Sequence, residues 1–167
     1  MLLTILLSVM MMAGLFLMLL GGVGFIQDRR FFSSAPREVI DVVPALKPVR
    51  FPGQRAVGWA IIVLSLALIG GTLVIGAWDG IRNAFSFRQF FLRFVVMLLG
   101  LKAFDIGLFD WFLLCNAGLN FFPRFYPETK AVLGHHLFGY NWKTHLAHII
   151  ATFPVSALLA WICALLQ

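Results

Sequence analysis

Residues 99–120 read LGLKAFDIGLFDWFLLCNAGLN. The stretch is apolar enough to cross a bilayer, yet it carries Lys102, Asp105, Asp110 and Asn116. A charge at the bilayer centre costs about 2.5–3.5 kcal/mol on insertion scales, so such residues are rarely there without a role. On an α-helix Lys102 and Asp105 are neighbours, and Asn116 returns to the same side, which makes an intramembrane polar stripe. Asp110 falls about 80° round from Lys102. A helix striped in this way cannot face lipid on that side, so other helices must pack around it.

The rest of the chain supplies those helices. Of its 167 residues, 61% are hydrophobic and 12% charged, and the mean hydropathy is +0.94. Soluble domains carry about 25% charge, so the composition is that of an integral membrane protein. Residues 1–26 form an almost unbroken apolar run. It lacks a basic start and a small-residue cleavage site, and is longer than a signal-peptide core; it reads as a retained first span. Residues 56–78 form a second span between Trp59 and Trp78, with small residues one turn apart at Ala67/Gly71 and Thr72/Gly76. Residues 94–119 are the third, with a capping box expected at Ser86 and Gln89 and with Arg88 and Arg93 snorkelling to the interface. Residues 144–166 are the fourth, with a kink expected at Pro154. The expected fold is an all-α, polytopic four-helix transmembrane bundle in a single domain.

The connections set its orientation. Loop 27–55 contains Pro36, Pro44, Pro48 and Pro52, which leave room for one short turn near Arg37. With loop 120–143 it holds nine of the thirteen Lys and Arg residues. By the positive-inside rule both loops are cytoplasmic and both termini face outward, in a bacterial inner membrane. The formal charge of +6 therefore points to anionic headgroups and not to nucleic acid. Cys115 and Cys163 lie within spans, with no CxxC spacing, as small apolar side chains.

Two kinds of chemistry are open to these residues. Lys102 and Asp105 can neutralise each other as a packing pair, or pass protons or ions. Asp110 has no opposite charge at helical spacing, so its partner comes from elsewhere, with Arg124, Lys130, His135, His136, His145 and His148 in the following loop or at the next helix start as the candidates. If loop 120–143 folds back, Glu128, His135 and His136 come within its reach, a carboxylate–imidazole set suited to acid–base catalysis or to a metal. His145 and His148, three residues apart, share a helix face and are a candidate metal pair. Haem would need axial ligands on opposite sides, and no spacing selects them; the cofactor is left open. No phosphate loop or nucleophile elbow is present. The run FDIGLFDW, with the Pro-Glu-Thr loop and basic-aromatic helix start after it, resembles small bacterial integral membrane proteins of unassigned function. That resemblance implies four spans and no mechanism.

The absence of a catalytic motif favours a non-enzymatic component that binds membrane lipids, a partner membrane protein or a second copy of itself. The alternatives are an enzyme or metal protein with its site at the cytoplasmic interface, and ion passage along Lys102 and Asp105.

Overall fold

Long apolar runs without internal breakers can satisfy their backbone in lipid only as helices, and helices are what these runs form. The computed structural model describes residues 1–134 and 140–167. The described residues contain no strand, only one isolated bridge between Asp28 and Leu46. Helix α1 (Leu2–Leu19) widens into a π-helix over Leu20–Ile26. Helix α2 (Arg37–Val42) is the short turn of the first loop. Helix α3 spans Gln54–Arg82 and α4 spans Phe87–Phe104. A second π-helix, Asp105–Cys115, extends α4. Helices α5 (Phe121–Phe125) and α6 (Trp142–Leu165) follow. Among the described residues, three helices are long and apolar enough to cross a membrane: Leu2–Ile26, Gln54–Arg82 and Trp142–Leu165. The expected third span is not of that class, because α4 carries Arg88, Arg93 and Lys102 within eighteen residues.

Packing follows the small residues. Gly21 of the first π-helix lies against the Gly58 carbonyl of α3, where an added Cβ would sit 3.0 Å from that oxygen. Gly76 faces Leu7 and Met97, while Gly71 has nothing near it. Of the two small-residue pairs in α3, only Thr72/Gly76 is buried within the chain. Helix α4 packs on α1 through Met97, Leu7 and Met11, and on α6 through Phe90, Phe94, Ala160 and Cys163. The capping box forms, with Ser86 N donating to Gln89 Oε1 at 2.8 Å. Pro154 sits within α6 without interrupting it.

Arg93 does not snorkel. Its side chain is 4% exposed, and its guanidinium donates to the Gly76 carbonyl at 2.6 Å and pairs with Asp79 at 2.8 Å. The turn between α3 and α4 is tight enough that Asp79 reaches Arg93 before water does.

At the end away from the α3–α4 turn, loop one (residues 27–55) and the described part of loop three (residues 120–143) are folded against each other. Phe32 packs on Phe122 and Tyr126, and Val39, Val43 and Leu133 close the same core over Leu113 and Leu114. Lys47 donates to the Phe125 carbonyl at 3.0 Å, pairs with Glu128 at 3.0 Å and lies 4.7 Å above the Tyr126 ring. Loop 27–55 is more than a connection with one short turn. It is half of an aromatic cap, because its prolines fix bends while Phe32, Val39 and Val43 supply apolar anchors.

Candidate acid–base centre

Asp105 and Asp110 lie five positions apart along the second π-helix. On an α-helix that spacing would turn the two carboxylates about 140° apart. The wider π-turn closes its hydrogen bonds from i to i+5, so the two residues come to the same side. Asn116 is thereby carried off the stripe: it is exposed, and its amide donates to the Trp111 carbonyl at 2.9 Å. The expected grouping of Lys102, Asp105 and Asn116 becomes Lys102, Asp105 and Asp110.

Lys102 Nζ lies 2.6 Å from Asp105 Oδ2. Asp110 is buried, and its Oδ2 lies 2.7 Å from His145 Nε2 at the start of α6. Its Oδ1 accepts from the Tyr140 hydroxyl at 2.9 Å. That hydroxyl also lies 3.1 Å from the Ser34 carbonyl in loop one. Burial, then the neighbouring Asp110 charge, holds the Tyr140 phenol far above its ordinary range, so it remains a donor.

The tautomer of His145 follows from these bonds. Nε2 faces a carboxylate and so carries the proton. Nδ1 is buried and has no partner among the described residues. An imidazole held by a carboxylate through one nitrogen, with a free lone pair on the other, is the arrangement of a general base. With His145 protonated, two carboxylates, one ammonium and one imidazolium carry no net charge. With it neutral, the cluster carries a single negative charge. The group can therefore hold or release a proton without building up a large buried charge.

The ligand atoms of Asp105, Asp110 and His145 all lie within 4.8 Å of one another. Two carboxylates and one imidazole suit zinc, manganese or iron. Each carboxylate has an outer partner, Lys102 for one and Tyr140 for the other, as metal-bound carboxylates commonly do. His148 is exposed on the next turn and is not one of the three. Glu128 meets Lys47 in the cap and does not join Asp110. His135 and His136 lie outside the described residues.

Comparison with known protein families, curated proteins and solved structures finds no match for the chain.

Tyr140 and Ser34 were missed from the sequence. Tyr140 sits in an aromatic loop that reads as an interfacial belt, and no periodicity links it to Asp110. The pair of aspartates five residues apart is the signal that was present, since only a π-turn brings them together.

Proposed function

We propose that the chain is a four-span membrane protein whose buried Asp110–His145 pair is an acid–base centre acting on a substrate from the bilayer. In this reading α4 and its π-helical extension form the third span. Loops 27–55 and 120–143 face the cytoplasm of a bacterial cell, and both termini face outward, supported by the concentration of Lys and Arg in those loops. His145 takes and returns the proton. Asp110 orients the imidazole and balances its charge, and Tyr140 positions Asp110.

The observation that carries this is the buried Nδ1 of His145, which has no partner among the described residues, beside a carboxylate-bound Nε2. It moves the reading away from the non-enzymatic binding component that the sequence favours. A purely structural pair gains nothing from a buried, unsatisfied nitrogen, whose desolvation costs about 1–3 kcal/mol.

Difference infrared spectroscopy of the protein in lipid, between about pH 5 and pH 8 where imidazoles change charge, tests the proposal. An aspartate carboxylate band should shift with pH and vanish in Asp110→Asn while the fold persists. A pH-silent carboxylate, or an Asp110→Asn protein that loses its helices, assigns the pair to packing instead.

A second reading has its own support in the 4.8 Å grouping of Asp105, Asp110 and His145. There the same residues hold a divalent metal, and stoichiometric metal in gently extracted protein distinguishes it.

A further inference from the structure

Halfway along the bundle, Leu15 of α1, Leu98 and Leu101 of α4, and Ala151 and Val155 of α6 wall a cleft of about 400 Å³. Ala151 and Val155 are exposed, so the cleft opens at the side of the bundle. In a membrane that side is the hydrocarbon, and the walls match it. The polar end is different: Lys102, Asp105 and His148 line it. An ammonium carries three N–H donors. Asp105 takes one, and the other two have no partner among the described residues although the side chain is only 14% exposed. In hydrocarbon an unsatisfied donor is costly, so an acceptor arriving with a ligand gains more than it would in water.

We propose that this cleft binds a neutral single-chain lipid whose head carries a hydroxyl or ester oxygen, with that oxygen accepting from Lys102 and the chain lying between α1 and α6. Each feature of the cleft selects one feature of the ligand. The volume lies in the lower part of the range of about 300–1,000 Å³ usual for small-molecule sites, which suits one chain and not two. The charges of Lys102 and Asp105 already cancel. An anionic head would meet Asp105 and, behind it, Asp110; a cationic head would meet Lys102. A neutral head with an acceptor oxygen meets no repulsion. Asp105 belongs both to the cleft and to the group around His145, so the head of such a lipid arrives beside the acid–base centre. The proposal names the substrate class for that centre and rests on the acid–base reading for its purpose, though not for the binding itself.

Photo-cross-linking in native-composition vesicles tests it, using monolauroylglycerol with a diazirine on the chain and mapping the labelled peptides. Labelling should concentrate on Leu98, Ala151 and Val155. Excess unlabelled monolauroylglycerol should abolish it, and phosphatidylglycerol should not. Ala151→Trp, which fills the cleft, should lower labelling about tenfold; if that variant fails to fold, Val155→Trp serves in its place. Labelling spread evenly onto lipid-facing positions of α3 such as Val63, Leu64 and Val74 would overturn the proposal. So would equal competition by phosphatidylglycerol, or labelling that neither tryptophan variant reduces. The Asp110→Asn protein should label as well as the native one. A pH-silent carboxylate in the native protein with cleft labelling intact would therefore reject the acid–base centre alone, and a pH-sensitive carboxylate band without cleft labelling would reject the cleft alone.

Discussion

At the scale of single residues, the pair to question is Lys102 and Asp105, which are joined at 2.6 Å and belong to both the cleft and the polar cluster. Removing one partner strands the other in a poorly solvated place. Asp105→Asn should lower thermal stability by about 1–3 kcal/mol, less than for a fully buried pair because Asp105 keeps some exposure. The double replacement Lys102→Met with Asp105→Leu should melt close to the native protein. Thermal unfolding followed by circular dichroism in lipid nanodiscs measures both. A double variant as unstable as the single one would show that the ions do more than answer each other. The pair itself was legible in the sequence, since a spacing of three positions makes the two neighbours on any α-helix. The partner of Asp110 was legible only as a set of candidates, because nothing local indicates which loop residues return to it.

At the scale of elements, helix contacts rest on a few glycines, and these separate into two kinds. Gly58 lies where a Cβ would press on Ile26 and Phe25. Gly58→Ala should destabilise the contact between the first π-helix and α3 by about 1–3 kcal/mol, the usual cost of overpacking. Gly71→Ala, in open space on the same helix, should be neutral or slightly stabilising. Melting temperatures of the two variants give the comparison, and equal losses would mean that Gly71 also faces a neighbour. The long helices could be read from hydropathy because each is a continuous apolar run. Both π-segments escaped that reading. Hydropathy has no sensitivity to a change from i+4 to i+5 hydrogen bonding, and a periodicity argument assumes the α-turn throughout. Asn116 was placed on the wrong side for that reason, and Arg93 was placed in the interface because a tight α3–α4 turn leaves no periodic trace.

At the scale of the whole molecule, both tyrosines of the chain, Tyr126 and Tyr140, are locked in the cap region, and burial is the largest cause of a raised phenol in each. A group whose folded pKa is raised adds stability that is complete below its unfolded value, about 10 for tyrosine, and is lost as pH rises above it. Tyrosine ionisation should thus be missing near pH 10 and appear together with cap unfolding at higher pH. Phenolate absorbance and circular dichroism recorded on one alkaline titration check this; a phenolate step that precedes any loss of structure would contradict it. The cap was the least legible part of the molecule, since its two halves meet only through contacts between residues as far apart as Lys47 and Phe125, 78 positions along the chain. That separation has a consequence for biogenesis. At about 5–20 residues per second, the ribosome takes roughly 4–16 s to make the second half after the first. For that interval the nascent first hairpin holds Phe32, Val39 and Lys47 without their eventual neighbours. A chaperone or insertase that shields loop one would act only in that window, and closure of the cap would mark the moment of release.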